Sequence, residues 1–407
     1  MPTEIQNPFK PGAGHAPPYL AGRSAEKKEF KRLLQQPVIL NNLVLTGLRG
    51  VGKTVLLEEF KPLAIAEKWL WVGTDLSEST SVSQEAIACR LLADLSVVTS
   101  AIVVKQESVP SGFTTQLKET RLNYAALLEI YNAVPGLIAD KVKAALEVAW
   151  SSIKPAGASG IVFAYDEAQT MSDHADKDQY PLSLLLDVFQ SIQKKGIPFM
   201  LAMVGLPTLF PKLVLARTFA ERMFNVQMLS KLDGKASRDA ILKPMAHSRG
   251  ISFQEQNVQL IVETSGGYPY FIQFICKEIF DVFLQQLKID GKVRPFPMSE
   301  IVRKLDKDFF AGRWARATDR QRQLLIVISK LQNCDDEFTL QDIVEESKKT
   351  THPFSPSHVN QMLVALGNSG LVYKNRHGRY AFAVPLLGQF LRRQEKETEQ
   401  PRLPGIL

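Results

Sequence analysis

The amino-acid sequence predicts an α/β fold: a five-stranded parallel sheet, then a helical lid, then a C-terminal module of three helices and a hairpin. Two patterns predict it. Short apolar runs alternate with longer helical stretches as far as Leu229, which is how a parallel sheet with helical crossovers reads. From Gly234 onward the alternation stops and the periodicity turns helical. Length agrees, because 407 residues exceed the roughly 250–300 at which single cores stop growing.

Taken in order, residues 1–18 are rich in Pro and Gly and read as an extended arm. The core domain spans 19–232. It opens with a helix from Leu20 to Leu34, entered through Gly22-Arg23-Ser24, with Ser24 expected as N-cap. Five apolar runs are the strands: Leu43 to Thr46, Trp69 to Gly73, Ile161 to Tyr165, Phe199 to Val204 and Phe224 to Leu229. Helical periodicity fills Ser83 to Val97 and Tyr124 to Ala149, while Val104 to Thr115, with Pro110-Ser111-Gly112, is expected to be an exposed loop. Residues 233–290 form the lid, with turns at Arg249-Gly250 and Gly266-Gly267, and Ile289 to Pro297 is a linker by composition. The last domain covers 298–393, and the charged tail 394–407 is expected to be disordered.

In that last domain, Thr318 to Leu331 shows an apolar face at Leu324, Leu325, Val327, Ile328 and Leu331. A second helix follows Thr339, and a third, Pro356 to Leu366, is entered through Ser355. Two alternating strands, Leu371 to Lys374 and Arg379 to Ala383, close the module. This is the order of a winged helix, whose third helix enters the major groove of DNA. Ser355, Ser357, His358, Asn360 and Gln361 would face bases, and Lys374, Arg376, His377 and Arg379 would line phosphates. The third helix carries no Arg or Lys, and winged helices also dock proteins, so both readings stay open.

Composition excludes several classes. Hydrophobic residues at 45% and charged residues at 22% rule against a disordered or fibrous chain. No apolar run reaches the roughly 18–20 residues of a membrane span, and the N-terminus has no signal-peptide pattern, so a cytoplasmic protein without a membrane partner is expected. Cys89, Cys276 and Cys334 lie far apart, which indicates neither disulfides nor zinc. The net charge of +7 favours an anionic partner, of which nucleic acid is the usual one.

The chemistry-bearing motif is Gly47-Leu48-Arg49-Gly50-Val51-Gly52-Lys53-Thr54, followed by Val55. Glycines let backbone N–H groups curl around phosphate, the next helix presents its positive end, Lys53 would bridge β- and γ-phosphates, and Thr54 would hold Mg²⁺. Asp166-Glu167 ends an apolar strand. There Asp166 would bind the metal through water and Glu167 would polarise the attacking water, completing an ATP/ADP site with hydrolase activity. The Phe199 strand should lie between the Gly47 and Asp166 strands, and Thr208 beyond its end is a candidate sensor of the γ-phosphate. Arg217 and Arg222 precede the fifth strand and could act as a finger on a neighbouring subunit, with Arg222 preferred.

The succession GRSAEKKEF, GLRGVGKT, AYDEAQ, VGLPTL, AERMF, SGGYPYFIQ and a winged helix resembles the AAA+ ATPases of the origin-recognition and initiator type over Pro17 to Arg393. The resemblance lies in the bacterial branch that is also similar to transposition-regulator and STAND-type ATPases. It implies that Gly22 and Arg23 lie beside the adenine and that Tyr268 and Pro269 close over the base from the lid. Initiators carry a lid arginine where this chain has Gly267-Tyr268-Pro269-Tyr270, a departure toward STAND proteins, in which nucleotide acts as a switch. The implied function is an ATP-hydrolysing, DNA-binding protein whose nucleotide state controls assembly, as a homo-oligomer, or recruitment of a protein partner. The alternative is a STAND-like signalling or defence switch whose winged helix contacts protein.

Overall fold

The computed structural model describes residues 6–12, 14–111, 114–246, 251–376 and 378–399. They fall into two compact units. One joins Arg23–Gly47 to Lys53–Leu229, and the other joins the chain up to Gly22, Leu48–Gly52 and the chain from Ser230 onward.

The first unit runs α1 (Ser24–Leu34), β1 (Asn42–Gly47), α2 (Lys53–Ala66), β2 (Trp69–Asp75), α3 (Gln84–Thr99), β3 (Val103–Ser111), β4 (Thr114–Arg121), α4 (Tyr124–Ala133) and α5 (Ile138–Ile153). It continues with β5 (Gly160–Asp166), α6 (Pro181–Lys194), β6 (Phe199–Gly205), α7 (Leu209–Ala216), α8 (Ala220–Met223) and β7 (Phe224–Leu229). The five expected strands form one parallel sheet in the order β2-β5-β6-β1-β7, so the Phe199 strand does lie between the Gly47 and Asp166 strands. β1, β5 and β6 are buried at every position, as in parallel sheets covered on both faces. Their Val44, Phe163 and Leu201 share a core with Leu91 of α3, Leu146 of α5 and Phe189 of α6. Each such side chain contributes about 1.5–3 kcal/mol of burial. Register is pinned by buried Asn42, whose Oδ1 accepts the Leu201 N–H at 2.7 Å while its Nδ2 donates to Gln193 Oε1 at 3.1 Å.

Two sequence expectations change here. Ser24 is the first helical residue rather than the cap: Arg23 holds the N-cap position without a side-chain cap bond, and burial of Phe30, Leu33 and Leu34 anchors α1 instead. Within the expected loop Val104 to Thr115, Gly112 and Phe113 lie outside the described residues, and the rest is strand. It belongs to the antiparallel pair β3–β4, registered from Val103 opposite Arg121 to Ser111 opposite Thr114. Val and Thr favour this extended pairing, and the Pro110-Ser111 signal marks its turn end.

The second unit holds α9 (Gly234–Met245), α10 (Glu255–Ser265) and α11 (Pro269–Asp290), with Gly266 and Gly267 both at positive φ in the expected turn. The expected Arg249-Gly250 turn lies outside the described residues. The extended arm is tied down: Phe9 is only 2% exposed and stacks on Phe253, and Asn7 Nδ2 donates to Asp281 Oδ1 at 2.7 Å. After α12 (Met298–Leu305), a π-helical turn Asp306–Phe310 and α13 (Ala311–Ala315) come α14 (Asp319–Lys330), β8 (Phe338–Thr339), α15 (Leu340–Ser347), α16 (Pro356–Asn368), β9 (Val372–Arg376), β10 (Arg379–Phe382) and α17 (Leu387–Glu399). Thr318, Thr339 and Ser355 cap the three helices, each accepting a backbone N–H. The hairpin gains a third strand, because β8 pairs with β10.

Residues 394–399, expected to begin a disordered tail, continue α17. Arg393 grips Asp306 with two hydrogen bonds of 2.8 and 2.6 Å, Lys330 pairs with Glu395, and Phe390 stacks on Phe310. These contacts offset the ordering cost that composition alone does not reveal. Among the described residues no helix is long and apolar enough to cross a membrane.

Candidate functional site

β1 delivers the glycine-rich segment from a buried strand to the start of α2. Gly50 and Gly52 have φ of +78° and +88°, a region that side chains with a Cβ rarely adopt, so glycine is required at both. Lys53 begins α2 and its Nζ donates to the Gly47 carbonyl at 3.0 Å. Thr54 Oγ1 donates to Asp166 Oδ2 at 2.5 Å, and Asp166 Oδ1 accepts the Glu167 N–H at 2.7 Å. The two motifs, far apart in sequence, therefore meet through one hydroxyl and one carboxylate.

Asp166 is 4% exposed. Burial raises its pKa, opposed by the hydrogen bonds from Thr54 and the Glu167 N–H. A hard carboxylate beside a hydroxyl is a donor set that suits Mg²⁺, which takes few protein ligands and completes its shell with water and phosphate oxygens. Among the described residues there is no cluster of three or more His, Cys, Asp or Glu able to hold a metal ion. The preceding residue anchors the strand end, because the Tyr165 hydroxyl donates to buried Asp94 at 3.0 Å.

Glu167 is exposed and stands at φ +51°, a left-handed conformation costing on the order of 1 kcal/mol outside glycine. Its Oε2 accepts from Gln169 Nε2, a partner that the sequence reading missed. Thr208 is half-buried at the N-cap position of α7 and makes no side-chain cap bond. Arg217 is engaged: it forms a fork with Asp187 at 2.8 and 2.7 Å and donates to Ser183 Oγ at 2.8 Å. Arg222 is exposed on α8, with no side-chain partner among the described residues. Arg23 is 6% exposed and paired with Glu26 at 3.2 Å, and burial lowers its pKa.

In the second unit, Leu232 contacts both Gly22 and Gly267. A Cβ on Gly22 would stand 3.2 Å from the Leu232 side chain, and the Leu232 N–H donates to the Gly267 carbonyl at 2.8 Å. Half-buried Tyr268 holds the N-cap position of α11 without a side-chain cap bond, and Pro269 is the first residue of the helix. Leu48, Arg49, Gly50, Val51 and Gly52 belong to the same unit, where the Tyr270 N–H donates to the Gly50 carbonyl at 3.1 Å. Arg49 reaches the α16–β9 turn, its Nη1 lying 3.3 Å from where a Gly370 Cβ would be. Val55 follows Thr54 on α2 and is half-buried.

On α16, Ser355, Ser357, Asn360 and Gln361 are exposed, and His358 is half-buried with its ring edge on Phe354. Lys374 and Arg379 are exposed on β9 and β10, Arg376 ends β9, and His377 lies outside the described residues. A cation that helix-by-helix reading did not bring to this face is Arg320 of α14, stacked 4.1 Å over Phe354.

Residues 307–391 match the family model described as Domain of unknown function (DUF8462). No curated protein matches the chain by sequence. Among solved structures, a Walker-type ATPase of Pyrococcus abyssi is similar at 14% identity and a TM-score of 0.57, over 92% of this chain and 96% of that one. The Aeropyrum pernix ORC2 protein in its ADP form is similar at 12% identity and a TM-score of 0.55, over 95% and 99%. At these identities the likeness is one of architecture: the chain shares its fold with these two proteins.

Proposed function

We propose that the chain binds ATP and Mg²⁺ at Gly47–Thr54, hydrolyses ATP with Glu167, and uses nucleotide state to control assembly, partner recruitment or DNA engagement through a winged helix. The observation that carries this reading is the 2.5 Å bond between Thr54 and Asp166, which unites the phosphate loop with the acidic strand end. Mg²⁺, when bound, would supply Lewis-acid stabilisation of the charge that develops on the phosphates. Lys53 holds the β- and γ-phosphates, Thr54 and Asp166 hold the metal and its water, and Glu167 orients the attacking water in line. Likeness in fold to a protein solved in its ADP form supports the choice of nucleotide.

Lys53→Ala should weaken ATP binding by about 10- to 100-fold, the worth of one charge-assisted bond to phosphate. Titration of the full-length chain with ATP checks it, and unchanged affinity sinks the assignment. A second reading, a STAND-like switch whose winged helix contacts protein, is favoured by the approach of Arg49 to the Gly370 turn. Salt-dependent retention on DNA separates the two, because only a phosphate-contacting surface releases counterions.

A further inference from the structure

The outer face of α16 carries no charge. Ser357, Gln361, Val364 and Asn368 follow one another at helical spacing, Asn360 flanks them, and all five are exposed. On the opposite face Val359, Met362, Leu363 and Leu366 are buried in the core, which fixes the direction in which the stripe looks. Among the described residues Asn360 and Gln361 make no side-chain hydrogen bond, so each amide keeps its donors and its acceptor for a ligand. Val364, one turn beyond them, is 57% exposed.

Each base pair shows its own pattern in the major groove. Adenine sets the N7 acceptor beside the N6 amino donor, and one carboxamide matches both at once. Guanine sets two acceptors side by side and is matched by Arg or Lys, while cytosine offers a donor matched by Asp or Glu. None of these four residue types occurs in α16. Thymine adds a methyl group, which takes an apolar contact of the kind that Val364 supplies. We propose that α16 reads A·T base pairs in the major groove of duplex DNA, with Asn360 and Gln361 on adenine and Val364 on the thymine methyl. This rests on the winged helix engaging DNA, and it assigns that DNA a composition. Lys374 and Arg379, exposed on the hairpin, hold phosphate whatever the sequence.

The test is binding of the full chain, at one fixed salt concentration, to alternating dA·dT and dG·dC duplexes of equal length. The parent is expected to prefer the dA·dT duplex by roughly 5- to 150-fold for each amide engaged. Uracil in place of thymine removes only the methyl, and should cost about 3- to 5-fold in the parent and nothing in Val364→Ala. Adenine replaced by 7-deazaadenine loses only the N7 acceptor, which should weaken the parent and leave the double variant Asn360→Ala, Gln361→Ala unaffected. All three substitutions lie on the exposed face, so these variants should melt with the parent. Equal affinity of the parent for the two duplexes, a dA·dT preference that survives in the double variant, or a uracil penalty that persists in Val364→Ala overturns the A·T readout and leaves DNA binding standing. Retention of neither duplex with ATP, with ADP or without nucleotide overturns the DNA reading and this inference together, in favour of protein docking.

Discussion

Asp166 faces opposing demands: the proposed metal site needs it ionised, while burial penalises its charge. Folding raises its pKa above the ordinary 3.8, so the folded chain keeps this proton to higher pH than the unfolded chain does. Stability is therefore lost as pH climbs from the unfolded value through the folded one. Asp166→Asn removes the charge and retains an acceptor for Thr54. Its melting temperature should match the parent's most closely in acid and exceed it increasingly as pH rises above 3.8, even as hydrolysis is lost. Thermal melts across a pH series check this, and a gap that narrows with rising pH would reverse the sign.

At the scale of elements, α17 and the β9–β10 hairpin are open to separate tests. Phe390 is buried against Phe310, so Phe390→Ala should cost about 3–5 kcal/mol in denaturant unfolding of the C-terminal module. Lys374, Arg376 and Arg379 flank one turn, and their joint replacement by Ala should weaken DNA binding about uniformly across sequences and flatten its salt dependence. Parent-like affinity and slope in that variant would tell against DNA. The central strands were readable in the sequence because burial on both faces writes them as continuous apolar runs, and β1 and β5 carried the phosphate loop and the acidic pair at their ends. β3 and β4 were not readable, since a polar antiparallel pair lacks that signature and its Pro110 reads as loop. Gln169 and Tyr270 escaped notice for a different reason. Their partners at Leu206 and Gly50 are set by the folded chain, and no local pattern encodes them. Arg217 and Arg222 looked alike in sequence, and the fork to Asp187 distinguishes them.

For the molecule as a whole, an exposed Arg222 without a partner among the described residues suits a role on another copy. Arg222→Ala should leave ATP affinity intact and lower hydrolysis only where the protein assembles. Mixing it with Lys53→Ala subunits, which still bring Arg222, should restore turnover, and failure to do so removes the trans role. The sheet order has a further consequence, for synthesis. β1 is flanked by β6 and β7, so it has no neighbour in the sheet until the ribosome has passed Gly205, and its second edge stays open until Leu229. At translation rates of about 5–20 residues per second, the nascent phosphate-loop strand waits on the order of ten to thirty seconds with both edges open. Such a strand is a target for holding chaperones, and nascent chains arrested before Phe199 should remain sensitive to protease across Asn42–Gly47.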